Sequence, residues 1–205
     1  MNPKILHMKN LLYSVETTDG WLTTPEAVAL LHLPLLVDHV PGAIVEIGSY
    51  KGKSAVALGL GSMLLSKQKR PVHAIDPFQP HYDGEQFNDF HAFKQPYFDS
   101  FWNNITNAGL QNHVKVIPKF SNEAYTECPD PIAALFIDGD HRYEGVKQDI
   151  LLYTPKVAKN GIIAFHDYMH AEGVTRAVDE LCAGNAGFEY VTLYENSLLL
   201  VRKVF

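Results

Sequence analysis

One apolar segment of the chain ends beside an acid and runs directly into a glycine-rich turn. Ala43–Ile47 is apolar apart from Glu46, which is typical of a buried β-strand. Gly48 and Gly52 follow, and a helix is predicted directly after them. Glycines in such a turn let the backbone approach a ligand, and the acid can hold a hydroxyl or a charged group. The segment therefore predicts a site for a nucleotide-like cofactor, and Glu46 favours an aminoacyl nucleoside over a dinucleotide.

Predicted strands and helices alternate along the rest of the chain. The predicted strands are Ala43–Ile47, Val72–Ile75, His113–Ile117, Ile132–Ile137, Gly161–Phe165, Phe188–Tyr194 and Ser197–Val204. The predicted helices are Thr24–Leu33, Lys53–Leu65, Tyr97–Ala108, Tyr143–Tyr153 and Gly173–Ala183. This order indicates a doubly wound α/β fold with a Rossmann-like sheet. Only the last two strands form a hairpin, so we expect seven strands, mostly parallel, with an antiparallel C-terminal hairpin.

The composition is that of a single globular domain. A chain of 205 residues is long enough to bury a full core. Its 46% hydrophobic and 20% charged residues are normal for a soluble globular protein. The net charge of -6 argues against nucleic acid as a partner, and no apolar run is long enough to cross a membrane. Cys128 and Cys182 lie far apart and indicate a reducing, cytoplasmic environment.

The chain before the first strand reads as a helical lead-in. We expect this lead-in to comprise residues 1–40 and the ligand-binding domain to comprise residues 41–205. Within the lead-in, Thr24 predicts a helix N-cap, followed by Pro25 in the first turn and by Glu26 near the positive end of the helix dipole.

The segment between the second and third strands is unusually long and aromatic. Its second half, Tyr97–Ala108, predicts the expected crossover helix with aromatic side chains in the core. The first half, His81–Gln95, has no clean period and is either a lid or substrate-recognition loop or plain irregular surface. We expect substrate contacts from this loop and from the lead-in.

Acidic residues cluster at the predicted carboxyl ends of the strands, where ligands bind in open α/β sheets. The residues at those ends are Glu46, Gly48, Asp76, Phe120, Ser121, Asp138, Asp140, His141, His166 and Asp167. Each acid alone is readily explained as a turn residue or a cap, but together on one edge they favour a site. Asp76 is placed to accept hydrogen bonds from a ribose diol. Asp138 and Asp167 could share a divalent cation such as Mg²⁺ with His166 or water, and His141 could take a proton from a hydroxyl.

Four segments, in this order, resemble class I S-adenosylmethionine-dependent methyltransferases. They are Val45–Ser54, His73–Pro77, Phe136–Tyr143 and Gly161–Tyr168. The resemblance extends from about Gly20 to the C-terminus. It is closest to methyltransferase family 24 and is similar to the metal-dependent catechol and macrolide-sugar O-methyltransferases. It implies that residues 41–205 form an S-adenosylmethionine-binding methyltransferase domain.

The resemblance also implies a role for each matching residue. Implied cofactor contacts are Glu46, Gly48, Ser49, Tyr50, Gly52 and Ser54 for the methionine part, Asp76 and Pro77 for the ribose, Phe120, Ser121 and Asn122 for the adenine, and Asp138. Asp138 and His141 would be catalytic, and Asp138, His166 and Asp167 would hold a metal. The metal-dependent relatives usually carry an acid at position 166, and histidine suits a transition ion better than Mg²⁺. A metal-free variant would keep Asp138 and His141 as groups that orient the substrate.

Three functions compete on this sequence. The first is O-methylation of a small-molecule or sugar hydroxyl, with self-association into a homo-oligomer left open. The second is a protein of the same fold that binds the cofactor or a metal without methyl transfer. The third is a nicotinamide-dependent oxidoreductase, which is disfavoured because Tyr50 lies where the second glycine of a dinucleotide motif would fall.

Overall fold

The computed structural model describes residues 3–79, 96–184 and 187–205, and it places seven strands in one sheet. The strands are β1 Ala43–Ile47, β2 Val72–Ile75, β3 Val114–Ile117, β4 Ile132–Ile137, β5 Val157–Phe165, β6 Phe188–Tyr194 and β7 Leu198–Lys203. Their order is β3-β2-β1-β4-β5-β7-β6. The first five run parallel, and β7 pairs antiparallel with both β5 and β6. This confirms the predicted fold, with β5 beginning earlier than expected.

Helices cover both faces of the sheet. They are α1 Pro3–Glu16, α2 Thr24–Leu36, α3 Lys53–Leu60, α4 Phe98–Asn107, α5 Ser121–Ala124, α6 Tyr143–Tyr153 and α7 Glu172–Gly184. The helix predicted over Lys53–Leu65 is divided, because its last turn, Gly61–Leu65, is π-helical. A short 3₁₀ turn, Thr154–Lys156, leads from α6 into β5.

Side-chain alternation along the strands divides the core into two layers. Ile44 and Phe136 face one layer, which contains buried residues of α1 to α4. Val45 and Leu135 face the other layer, formed with α5 to α7. Because both faces of the parallel strands are covered, the strands are mainly apolar, and all six residues of β4 are buried. The parallel strands therefore expose mainly their carboxyl ends to a ligand.

The start of α2 differs from the prediction by one residue. The N-cap is Thr23 rather than Thr24, because Thr23 and Glu26 form a reciprocal capping box. The Glu26 backbone N–H donates to Thr23 Oγ1 at 3.5 Å, and the Thr23 backbone N–H donates to Glu26 Oε2 at 2.8 Å. The helix also continues past Leu33 and includes Pro34.

Two expectations concern segments other than the sheet. The predicted lid or recognition loop, His81–Gln95, lies outside the described residues. Among the residues that the structure describes, every helix is too short or too polar to cross a bilayer.

Candidate functional site

A cavity of about 1210 Å³ lies at the carboxyl ends of the parallel strands. Small-ligand sites usually occupy roughly 300–1,000 Å³, so this space is large enough for a cofactor beside a second molecule. The predicted site residues that line it are Gly48, Tyr50, Asp76, Pro77, Phe120, Ser121, Asn122, Asp138, His141, His166 and Asp167. The lead-in contributes Gly20–Thr23 and Glu26 to the wall.

The glycine turn after β1 requires its glycines. Gly48 has φ +85°, and a Cβ atom built there would lie 2.1 Å from the carbonyl oxygen of Asp138. Tyr50 is also left-handed, with φ +46°. Its strained backbone is held because the Tyr50 N–H donates to Asp76 Oδ2 at 2.8 Å. The turn thereby brings the ends of β1, β2 and β4 together at the cavity.

Asp76 connects three segments at the cavity wall. Besides the Tyr50 N–H, its carboxylate accepts hydrogen bonds from the Phe78 N–H at 2.6 Å and from the Tyr97 hydroxyl at 2.8 Å. Burial raises the pKa of Asp76, although these hydrogen bonds oppose the rise. Asp76 therefore fixes the turn after β1 and the start of α4, and its contact with a ribose stays a prediction.

Glu46 lies beneath the turn and is fully buried. Its Oε2 accepts a hydrogen bond from Ser49 Oγ at 2.6 Å, while Oε1 has no hydrogen-bond partner among the described residues. Burial raises its pKa to about 7. Glu46, Ser49, Gly52 and Ser54 are not among the residues that line the cavity. Their positions are those of residues that support the turn, and the predicted contacts with methionine stay untested.

Glu46 predicts a pH-dependent stability. Its pKa is about 7 in the folded protein against an ordinary 4.5, so the folded state binds the proton more tightly than the unfolded state. The stability that this proton confers is fully present below about pH 4.5 and is lost as pH rises through about 7. The shift corresponds to on the order of 3 kcal/mol.

Glu46→Gln keeps an acceptor for Ser49 and cannot ionise. We expect its free energy of unfolding, relative to the wild-type protein without cofactor, to increase as pH is raised from mildly acidic to mildly alkaline. Urea denaturation across that range measures this difference. A difference that stays constant with pH would show that the buried carboxyl is not the cause.

Two histidines flank the same pair of carboxylates at the ends of β4 and β5. His141 Nε2 lies 3.6 Å from Asp138 Oδ1 and 3.2 Å from Asp167 Oδ2. His166 Nδ1 lies 3.1 Å and 3.4 Å from the same two oxygens. The structure thus brings together four of the five residues that the sequence placed at these strand ends, and the fifth, Asp140, forms an ion pair with Arg142.

A model of methyltransferase family 24, described as a methyltransferase domain, matches residues 45–168. The chain belongs to this methyltransferase family. An uncharacterized protein of Acanthamoeba polyphaga mimivirus is 30% identical over 171 residues, which cover 75% of this chain and 68% of the viral protein. The match to the family model confirms the resemblance seen in the four sequence motifs.

Solved O-methyltransferases share the fold of this methyltransferase. NovP superposes with a TM-score of 0.80 at 19% identity, covering 98% of this chain and 99% of NovP. TomG from Streptomyces achromogenes, solved with S-adenosylmethionine, gives 0.65 at 12% identity, covering 100% and 91%. An O-methyltransferase from Bacillus cereus, solved with S-adenosylhomocysteine, gives 0.63 at 16% identity, covering 99% and 93%. At these identities the likeness establishes the fold.

In this methyltransferase, we call Asp138, His141, His166 and Asp167 the acid–histidine cluster. The charged forms of Asp138, His141 and His166 are favoured there. Burial raises the pKa of Asp138, but the charges of His166 and His141 and the contact with His166 Nδ1 outweigh it and lower that pKa to about 2. Burial lowers the pKa of His141, yet the neighbouring Asp138 and Asp167 raise it above its ordinary value. For His166 the same carboxylates and Glu26 overcome burial and raise the pKa far more.

The cluster can hold a divalent cation. One ligand atom each from Asp138, His141 and Asp167 lie within 4.8 Å of one another. This donor group contains His141 where the sequence reasoning placed His166, although His166 Nδ1 faces the same oxygens. Two carboxylates and an imidazole suit a transition ion better than Mg²⁺. With both histidines neutral, the residues therefore fit a cation, because the charge of the two acids then matches that of the cation.

Sequence reasoning missed the contact between Glu26 and His166. Glu26 is 2% exposed, and its Oε1 lies 3.4 Å from His166 Nε2. The only sequence signal was the Thr23–Glu26 capping box, which indicates a helix start and not a contact with β5. Asp149 on α6 was also missed, since it reads as an ordinary helix residue; it lines the cavity, and burial raises its pKa to about 6.

Proposed function

We propose that the protein is an S-adenosylmethionine-dependent O-methyltransferase that acts on a hydroxyl of a small molecule or a sugar. The observation that carries the proposal is the position of the acid–histidine cluster in the same cavity as the glycine turn and Asp76. A cofactor-binding corner and a proton-accepting group are the two parts that methyl transfer to a hydroxyl needs. The solved relatives named with this cofactor or its product support its assignment.

In this proposal the cofactor lies along the ends of β1, β2 and β3. The turn that contains Gly48 binds the methionine part, Asp76 accepts from the ribose hydroxyls, and Phe120 packs against the adenine. Phe120 is 40% exposed and lines the cavity, so it offers an apolar surface against which the adenine ring would pack.

The acceptor hydroxyl would lie beside the ends of β4 and β5. S-adenosylmethionine supplies an already activated methyl group, so the chain mainly orients the acceptor and removes its proton. His141 in its neutral form is the proposed acceptor of that proton. Asp138 and Asp167 then stabilise the imidazolium, because their oxygens lie 3.6 Å and 3.2 Å from its Nε2.

Assistance by a divalent cation is the finer part of the proposal. Asp138 and Asp167 would hold it through carboxylate oxygens, with an imidazole nitrogen from His166 or His141. A cation at this position would lower the pKa of the acceptor hydroxyl. The histidine nitrogens favour a transition ion over Mg²⁺.

The test is a screen of phenols and glycosides with S-adenosylmethionine, run with EDTA, with Mg²⁺ and with Mn²⁺. We expect a product that is heavier by one methyl group in mass spectrometry, and a loss of product with EDTA that Mn²⁺ restores. Product formation that EDTA does not affect would refute the cation. Cofactor binding without product on any acceptor would favour the alternative of a binding protein.

A further inference from the structure

Glu26 lies outside the segment that matches the methyltransferase family and yet reaches the acid–histidine cluster. The match begins at residue 45, whereas Glu26 is carried by α2 of the lead-in. Its side chain is almost completely buried and borders the cavity. A buried carboxylate is costly unless it is paired, so its position requires a partner.

The two ring nitrogens of His166 face acids on opposite sides. Nδ1 faces Asp138 and Asp167, and Nε2 faces Glu26 Oε1 at 3.4 Å. Nε2 and Oε1 are both buried, and neither has a hydrogen-bond partner among the described residues. The ion pair at 3.4 Å therefore joins two buried polar atoms that lack hydrogen-bond partners there. Without Glu26, this buried ring nitrogen would lose the carboxylate that faces it, and a buried polar group without a partner is costly.

Helix capping alone does not explain the charge of Glu26. Its other oxygen, Oε2, accepts from both the backbone N–H and the hydroxyl of Thr23, at 2.8 Å and 2.9 Å. A glutamine would provide the same acceptor for the cap. The second oxygen and the negative charge are directed at His166. The facing imidazole, the Thr23 N–H and the Ser197 hydroxyl overcome burial and lower the pKa of Glu26 to about 2.

The same carboxylate connects the lead-in wall to the cluster. Thr23 belongs to the lining segment Gly20–Thr23, in which the Trp21 ring stacks on Tyr50 at a centroid distance of 4.7 Å. Asp19, which directly precedes this segment, forms an ion pair with Lys51 of the glycine turn. One end of the wall is therefore fixed to the glycine turn, and the other is fixed through Glu26 to His166.

We propose that Glu26 is a positioning residue, which orients the His166 imidazole toward Asp138 and Asp167 and thereby sets the geometry of the acceptor site. The proposal rests on the proposed methyl transfer. It holds with or without a cation, because a metal-bound histidine also requires a partner that fixes its second nitrogen.

Glu26→Gln tests this role, since it keeps the acceptor for Thr23 and removes the charge that faces His166. We expect kcat to fall by roughly 10- to 100-fold, the range for groups that orient metal or catalytic ligands, with KM for the acceptor and Kd for S-adenosylmethionine almost unchanged. Glu26→Asp keeps the charge and should recover part of kcat. Leu33→Ala is the matched control, because Leu33 is fully buried on the same helix and does not line the cavity.

Each outcome separates positioning from stability. Leu33→Ala should lower Tm at least as much as Glu26→Gln and keep kcat. A wild-type kcat in Glu26→Gln would overturn the proposal, as would a loss of kcat in Leu33→Ala that matches its loss of Tm.

A spectroscopic readout keeps the inference independent of activity. The imidazole ¹⁵N signals of His166, assigned by their absence in His166→Gln, should shift in Glu26→Gln and not in Leu33→Ala. If no acceptor is methylated, the proposed function fails, and this shift still supports the contact between Glu26 and His166. Unchanged His166 signals in Glu26→Gln would overturn it whatever the activity.

Discussion

Replacement of His141 or Asp167 by alanine is expected to reduce kcat by roughly 10²- to 10⁴-fold and to leave the Kd for S-adenosylmethionine within a few-fold of wild type. His141 Nε2 lies 3.2 Å from Asp167 Oδ2 at the ends of β4 and β5. The proposed cofactor corner is formed instead by the turn after β1 and by Asp76. Loss of the cluster should therefore remove proton transfer without removing the cofactor site.

Single-turnover methyl transfer and calorimetric titration measure the two quantities separately. His39→Ala is the control, since His39 is exposed and is not among the lining residues. Weak cofactor binding in Asp167→Ala would contradict this division of roles. Wild-type turnover in His141→Ala would rule out His141 as the base.

Asp76→Ala is expected to have the opposite effect. It should raise the Kd for S-adenosylmethionine by roughly 10- to 100-fold, since hydrogen bonds to a charged group contribute about 1.5–3 kcal/mol. Part of the loss comes from the predicted ribose contact, and part comes from the left-handed Tyr50, whose N–H loses its acceptor. At saturating cofactor, kcat should remain within a few-fold of wild type.

Tyr97→Phe distinguishes the two contributions to the Asp76 effect. It removes one donor to Asp76 Oδ1 and leaves the carboxylate in place. We expect a small change in Kd, because the ribose acceptor is retained. Equal losses in both variants would indicate that Asp76 acts only by holding the wall, and an unchanged Kd in Asp76→Ala would contradict the cofactor assignment.

The fold could be predicted because the parallel strands are covered on both faces. Continuous apolar runs such as β4 are distinctive, and the rule that ligands bind at the carboxyl ends of parallel strands locates the site without coordinates. Asp138 and Asp167 were placed together for this reason, since β4 and β5 are paired neighbours.

The details that the sequence could not predict depend on contacts between distant segments. Glu26 lies on a helix of the lead-in, whereas His166 follows the end of β5. No sequence periodicity relates these two positions. Glu46 shows a second limit, because a strand position indicates a face but not depth: its side chain lies under the turn. The N-cap error is of another kind, because the signal is local: only Thr23, and not Thr24, is followed by an acid three residues later.

A calorimetric titration of the wild-type protein with S-adenosylmethionine and, separately, with a reduced nicotinamide dinucleotide tests the cofactor assignment itself. We expect saturable one-to-one binding of S-adenosylmethionine, weakened in Asp76→Ala, and no binding of the dinucleotide. Absence of S-adenosylmethionine binding would contradict both methyl transfer and the reading of the glycine turn as its cofactor site.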